Sequence, residues 1–179
     1  MTNIFIRYDE QSQGVGKKLE SYIRSSTVYN LSVKEQNAEF CISLNVVEYP
    51  REPRLQCYHF NAKGSLGDLA SKIYYQCSKA GIATAEIVKG SMPREEYEQL
   101  FVIPTLIVNL GNENTVIDEI DYAIAIGQGI VSYLNPGAVF DTFSSKKKNT
   151  VKKDQGKSFS DKNKIVEPTN NTKLLFKKK

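Results

Sequence analysis

The chain has 179 residues, a length that suits one globular domain with a core of ordinary size. Its formal charge of +4 is unevenly distributed, because residues 144–179 hold 12 of the 24 basic residues and only three of the 20 acidic ones. This segment therefore carries a charge of +9, and residues 1–143 carry −5. A basic tail of this kind attracts polyanions loosely, and specific nucleic-acid recognition would need more than charge.

Neither a membrane span nor a targeting segment is predicted. No apolar run approaches membrane-spanning length. The first residues pass directly into a strand at residues 4–6, and no basic stretch followed by an apolar one marks a secretory signal. We therefore expect a cytoplasmic protein. Residues 138–179 are rich in Lys, Ser and Asn, and we expect them to be disordered because they hold too few apolar side chains to offset the entropy of ordering.

Strands and helices alternate along residues 1–137. The predicted strands are residues 4–6, 28–33, 39–47, 55–60, 82–88 and 102–110, and the predicted helices are residues 14–24, 65–80 and 115–134. Ser65 and Asp68 are placed to cap the second helix, and Gly81 is placed to end it. The alternation predicts an α/β layered fold with a mainly parallel or mixed sheet flanked by helices.

The last predicted helix and the polar segment before it complete the pattern. Thr115 and Asp118 are both placed to cap this helix. Its predicted core-facing residues are Val116, Ile120, Ala123, Gly127, Val131 and Leu134. Residues 93–98 are acidic with one arginine, and they are interpreted as a solvated loop or a short exposed helix, with a partner-binding loop as the alternative.

The cysteines are interpreted as reduced core residues. Cys41 and Cys57 lie in predicted strands, Cys77 lies on the apolar face of a predicted helix, and no C-x-x-C spacing is present. An alternative places Cys41 on a strand beside Cys57 and His59, where the three side chains would bind zinc. Buried thiols beside a hydrogen-bonded histidine are the simpler interpretation, so no metal and no cofactor are predicted.

Two strand ends carry a resemblance to a known family. Residues 104–112 read Pro-Thr-Leu-Ile-Val-Asn-Leu-Gly-Asn, and residues 42–46 read Ile-Ser-Leu-Asn-Val. In order and spacing, residues 38–134 resemble zinc-dependent N-acetylmuramoyl-L-alanine amidases of the third family, which are cell-wall hydrolases. The resemblance implies an amidase-like fold. It also implies an abbreviated start, because residues 25–38 are too few for the family's second strand and the helix that follows it.

The same resemblance implies that the family's chemistry is missing. Asn45 corresponds to a zinc-binding histidine of the family, and Asn109 corresponds to its catalytic glutamate. Glu10 stands where the family's ligand glutamate stands, ahead of the first helix. A carboxamide cannot take up a proton from water as a general base does.

We therefore predict a catalytically inactive, amidase-like binding protein with no catalytic residue. Glu10, Asn45 and Asn109 would line the remnant groove, and the ligand would be a cell-wall muropeptide or a protein partner. Three alternatives remain open. In the first, Asn45 and Asn109 merely cap turns. In the second, the protein is an active amidase with unorthodox metal ligands. In the third, the protein acts through its basic tail, which binds polyanions.

Overall fold

The computed structural model describes residues 2–26, 29–60 and 66–140. The strands are β1 (Thr2–Tyr8), β2 (Tyr29–Leu31), β3 (Phe40–Val47), β4 (Leu55–Phe60), β5 (Thr84–Gly90) and β6 (Thr105–Asn112). The helices are α1 (Gln13–Ser25), α2 (Gly67–Lys79), α3 (Arg94–Leu100) and α4 (Glu119–Leu134), and one 3-10 turn spans Glu35–Asn37. The basic tail beyond residue 140 lies outside the described residues, so its disorder and the domain boundary at residue 137 stay predictions.

The six strands form one mixed sheet in the order β2-β1-β3-β6-β4-β5. All neighbouring pairs are parallel except β4 and β6, which are antiparallel. The predicted α/β fold with a mixed sheet is therefore confirmed. Because β4 runs against β6, the carboxyl ends of β1, β3 and β6 meet the amino ends of β4 and β5 at one margin of the sheet. We call this margin the carboxyl edge.

The two faces of the sheet differ in chemistry. Alternate residues of β3 and β6, such as Leu44 and Val108, are fully buried and pack against α1, α2 and α4. The intervening residues point to the opposite face, which carries polar side chains such as Ser43 and Thr105. We call the second face the polar face. Because successive residues of a strand point to opposite faces, the polar residues in β3 and β6 are the ones that point to the polar face.

A short helix and the 3-10 turn lie on the polar face. The Tyr97 hydroxyl of α3 accepts a hydrogen bond from the Thr105 backbone N–H at 2.8 Å, and the Tyr97 ring contacts Phe60 with centroids 5.9 Å apart. Arg7 of β1 forms an ion pair of 2.5 Å with Glu35 in the 3-10 turn. The segment at residues 93–98 is thus a short helix, mostly exposed as predicted, that is anchored by one buried tyrosine.

The ends of α2 differ in how well the sequence predicts them. The helix begins at Gly67 with Leu66 as its N-cap, and no side chain caps it. Ser65, the predicted cap, lies outside the described residues, and Asp68 falls in the first turn. At the other end Gly81 adopts a φ of +80°, a left-handed conformation that ends helices and favours glycine. The predicted stop at Gly81 is confirmed.

The start of α4 corrects two predictions. Asp118 caps the helix by accepting from the backbone N–H groups of Ile120 and Asp121, as predicted. Thr115 instead accepts from the Asn112 backbone N–H in the preceding turn. Val116 and Ile120 were predicted to face the core, yet they are 93% and 56% exposed. The prediction is wrong for both residues because the helix begins only at Glu119: Val116 precedes the helix, and Ile120 lies in its exposed first turn. The same helical phase is right further along, where Ala123, Gly127 and Val131 are buried.

Helices α2 and α4 pack closely at one glycine. A Cβ placed on Gly129 of α4 would lie 2.5 Å from the Cα of Ile73 in α2. The contact is with backbone, which cannot move aside as a flexible side chain does. Within the described residues no helix is both long enough and apolar enough to cross a membrane.

Replacing Gly129 with alanine should destabilise the protein. The added methyl group separates α2 from α4, and we expect a loss of about 1–3 kcal/mol in the free energy of unfolding. This loss outweighs the gain of about 1 kcal/mol that alanine brings to a helix interior. Urea unfolding measures the change. Gly137→Ala is the matched control, because its nearest neighbour would be an Asn135 oxygen 3.7 Å away. Equal stability of the two variants would contradict the packing described.

Candidate functional site

Three carboxamide side chains lie side by side on the polar face near the carboxyl edge. Asn45 of β3 is the register partner of Asn109 of β6, and Asn109 is also opposite Gln56 of β4. Register partners point to the same face of a sheet, with Cβ atoms about 4.5–5.5 Å apart. We call Asn45, Asn109 and Gln56 the carboxamide row. The structure thus brings together two of the predicted site residues and adds Gln56, which was not among the predicted residues.

Asn109 occupies the centre of the row and is 5% exposed. Its side chain makes no hydrogen bond to any other residue in the described part of the chain. The fully buried side-chain atoms without a partner there belong to Ser26, His59 and Gln76. Asn109 is not among them, so its carboxamide keeps contact with solvent. A donor and an acceptor are therefore both free at the middle of the row.

Gln56 is oriented by its neighbours. Its Oε1 accepts a hydrogen bond of 2.7 Å from the Tyr58 hydroxyl, which leaves the amide NH2 group free to donate. The Tyr58 hydroxyl also accepts from Arg51, whose guanidinium lies 4.9 Å from the centre of the Tyr58 ring. Asn112 donates to the Arg51 carbonyl. This network fixes one end of the row.

Glu10 reaches the same edge from β1. The strand ends at Tyr8, the register partner of Leu44, so Glu10 follows beside the end of β3. The turn is held by Asp9, whose Oδ1 accepts from the Ser12 N–H at 2.8 Å, while the Ser12 hydroxyl lies 2.9 Å from the Leu44 carbonyl. Glu10 itself is exposed and makes no hydrogen bond or ion pair within the described residues.

A groove opens next to the row, between the β3–β4 loop and the β6–α4 loop. Two adjoining cavities of about 580 and 400 Å³ share the lining residues Glu48, Tyr49, Asn112 and Glu113. We call this the edge groove. Glu10, Asn45 and Asn109 do not line either cavity. The site therefore consists of a row of amides with a groove beside it.

The donor set at this edge does not fit a catalytic zinc. Such a site needs about three protein ligands drawn from histidine, cysteine and carboxylate side chains. The described part of the chain has no group of three such residues placed to hold a metal ion. Of the three predicted site residues, Glu10 offers one carboxylate, whereas Asn45 and Asn109 offer neutral amides, which bind a divalent cation weakly.

The second zinc arrangement considered from the sequence is also corrected. Strand β6 separates β3 from β4, so Cys41 and Cys57 are not on adjacent strands. Cys41 lies on the polar face, whereas Cys57 and His59 face the helices. His59 Nδ1 is buried without a hydrogen-bond partner, contrary to the hydrogen-bonded histidine expected. Burial lowers the His59 pKa, and the nearby Lys89 lowers it further.

All three cysteines are buried and unpaired with one another, so the prediction of reduced core residues is confirmed. Burial raises the pKa of Cys41 and of Cys57 to about 12. Burial also raises the pKa of Cys77 well above its ordinary value, and the neighbouring Cys57 adds to the shift.

Several solved structures similar to this chain are N-acetylmuramoyl-L-alanine amidases. The enzyme AmiC2 of Nostoc punctiforme matches with a TM-score of 0.57 at 15% identity, over 74% of this chain and 97% of that chain. An amidase from Clostridium difficile 630 matches with a TM-score of 0.58 at 15% identity, over 76% and 98%. The CwlD amidase of Clostridioides difficile, in complex with the GerS lipoprotein, matches with a TM-score of 0.54 at 14% identity, over 75% and 98%.

No family model and no curated protein matches the sequence itself. At these identities the structural similarity establishes the fold, and the predicted amidase-like architecture is confirmed. The match covers nearly the whole length of these amidase structures. Between α1 and β3 this chain has only the three-residue strand β2 and the 3-10 turn, in keeping with the short segment noted at residues 25–38.

A carboxylate introduced at the centre of the row should be unstable there. In Asn109→Glu, burial between neutral amides raises the pKa of the new carboxyl above its usual value of about 4.3. The uncharged acid is tolerated at low pH, and the penalty grows as pH rises through the ordinary pKa. We expect a loss of about 1–3 kcal/mol in unfolding free energy at pH 7 and a smaller loss at pH 4, measured with urea.

The matched control is Asn30→Glu, which changes an exposed residue of β2. It should leave the unfolding free energy within about 0.5 kcal/mol of the starting protein. A loss in Asn109→Glu that is the same at both pH values would contradict the environment described for Asn109.

The native thiols should be inert. With a pKa of about 12 for Cys41 and Cys57, on the order of one thiol in 10,000 is ionised at pH 8. We expect no rapid reaction with Ellman's reagent in the folded protein and three reacting thiols after unfolding in urea. A thiol that reacts in the folded protein as fast as free cysteine would contradict the burial observed.

Proposed function

We propose that this chain is an amidase-fold protein that binds peptidoglycan fragments without hydrolysing them. The observation that carries the proposal is the carboxamide row. Asn45 and Asn109 are register partners at the positions where the resemblance expects a zinc-binding imidazole and a catalytic carboxylate. No proton acceptor and no fitting metal ligand set remain there to activate water.

The row has the chemistry to hold amide groups. A carboxamide carries a donor and an acceptor, and so do the N-acetyl and peptide groups of a muropeptide. Asn109 has both functions free, and Gln56 keeps a free NH2 group because its oxygen is already used. The names of the structurally similar proteins, N-acetylmuramoyl-L-alanine amidases, support a ligand of this class.

The edge groove supplies a place for the peptide portion. Glu48 and Glu113 line it and make no ion pair within the described residues. Tyr49 is 80% exposed beside them. Two unpaired carboxylates and an exposed ring would attract a fragment with a free ammonium group, such as one ending in a diamino acid.

Removing one amide from the row should weaken muropeptide binding. In Asn109→Leu the side chain keeps its approximate shape but loses both hydrogen-bonding functions. We expect the dissociation constant for N-acetylmuramoyl-L-alanyl-D-isoglutaminyl-L-lysine, whose lysine supplies the free ammonium group, to rise about tenfold, measured by calorimetry or NMR titration. Asn30→Ala, which removes an exposed amide from β2, should bind like the starting protein.

The same samples test for hydrolysis. Mass spectrometry of the fragment incubated with and without zinc should show no cleavage between the lactyl group and alanine. Cleavage that disappears in Asn109→Leu would show an active amidase and would refute the proposal. If the folded starting protein does not bind the fragment, the proposal is refuted as well.

A protein partner is the second candidate function. The structure of the CwlD amidase is a complex with a lipoprotein, which supports partner binding by this fold. Two results together would support this alternative. The muropeptide titration would show no binding, and a single protein from the source cell would bind the folded chain but not the Asn109→Leu variant.

A further inference from the structure

A second groove lies on the helical side of the molecule, where the start of α2 meets the end of α4. Its volume is about 660 Å³, within the range of small-molecule sites in proteins. The residues that line it are Asp68, Ser71, Lys72, Tyr75, Tyr133 and Pro136. We call it the tyrosine groove.

The tyrosine groove is remote from the carboxamide row. Helix α4 starts near the carboxyl edge and has 16 residues, so its last turn lies about 20 Å further along the molecule. The row also faces away from α2 and α4, on the polar face of the sheet. Nothing proposed for the row therefore accounts for this groove.

Two aromatic rings form the apolar surface of the groove. Tyr75 is 61% exposed, so much of its large aromatic ring lies open to solvent. Tyr133 is held in place by an edge-to-face contact with Phe40, with ring centroids 6.3 Å apart at 89°. One ring is thus fixed and the other is available to a ligand.

The rim of the groove carries a balanced set of polar groups. Asp68 and Lys72 are both exposed, and neither forms an ion pair or hydrogen bond with another residue in the part of the chain that the structure describes. The Ser71 hydroxyl donates to the Gly67 carbonyl at 2.9 Å, so its oxygen remains free to accept. The two charges cancel, which favours a neutral ligand that brings both donors and acceptors.

We propose that the tyrosine groove is a second binding site and that its ligand is a neutral glycan. A sugar ring has an apolar C–H face, which stacks on an aromatic ring, and a rim of hydroxyl groups, each both donor and acceptor. Tyr75 receives the apolar face. Lys72 donates to the sugar hydroxyls, and Asp68 accepts from them. The groove volume of about 660 Å³ leaves room for more than one sugar unit.

A proline-rich peptide is the occupant to be distinguished from a glycan. It also stacks on exposed tyrosines, but it presents carbonyl acceptors and few donors. Lys72 would then contribute to binding, whereas Asp68 would have nothing to accept from. The effect of removing Asp68 therefore separates the two ligands.

The test is an NMR titration of the full chain with a β-1,4-linked N-acetylglucosamine tetramer at millimolar concentrations. Tyr75→Ala should raise the dissociation constant about tenfold through loss of stacking, whereas Tyr75→Phe should stay within about threefold. Asp68→Ala should also weaken binding severalfold. Leu100→Ala, which removes an exposed apolar side chain from α3, is the matched control and should bind normally.

The glycan site is overturned if the tetramer does not bind, if Tyr75→Ala binds it as well as the starting protein does, or if a decaproline peptide binds more tightly and is unaffected by Asp68→Ala. The outcome is separable from that for the carboxamide row. Repeating the titration in an Asn109→Leu background removes the row's contribution, so a further loss of binding on Tyr75→Ala measured there belongs to the tyrosine groove alone.

Discussion

The pairing of β6 between β3 and β4 is the constraint on which the site depends. Parallel pairing with β3 places Asn45 beside Asn109, and antiparallel pairing with β4 places Gln56 on the other side. A shift of one residue in either pair would send a carboxamide to the helix-covered face, because side chains alternate along a strand. The apolar residues between them prevent the shift, since Leu44 and Val108 would then lose their burial.

The residue at the centre of the row is both buried and polar, a combination that costs stability. A side chain that is 5% exposed contributes most to stability when it is apolar, yet the residue there is Asn109. Leucine or valine would extend the packing without leaving a donor and an acceptor unused. A polar residue without an internal partner at such a position is typical of a group that meets a ligand or ordered water. This reasoning favours a binding role for the amide over a role in the fold alone.

The sequence predicted where the strands lie along the chain better than it predicted which strands and helices lie next to each other. Strand periodicity located β3, β4 and β6 closely, and the family resemblance anticipated that Asn45 and Asn109 belong to one site. Gln56 was not predictable in this way, because its place in the row depends on β4 running antiparallel beside β6. Tyr97 was missed for a similar reason. A single aromatic residue in an acidic segment has no periodicity, and its burial depends on Thr105 and Phe60 from distant strands.

Under the proposed function, an amidase fold binds a ligand without hydrolysing it, and the two grooves offer the contacts for such binding. Hydrolysis by the amidase mechanism needs a metal ligand set and a proton acceptor at one point, so amides in place of both groups, as proposed for Asn45 and Asn109, would remove it. Recognition is distributed over many weaker contacts and survives such changes. The edge groove carries Glu48 and Glu113, and the tyrosine groove lies about 20 Å along α4 from the carboxyl edge. Such a protein would bind its ligand without hydrolysing it. The lifetime of the complex would then be set only by the rate at which the ligand dissociates.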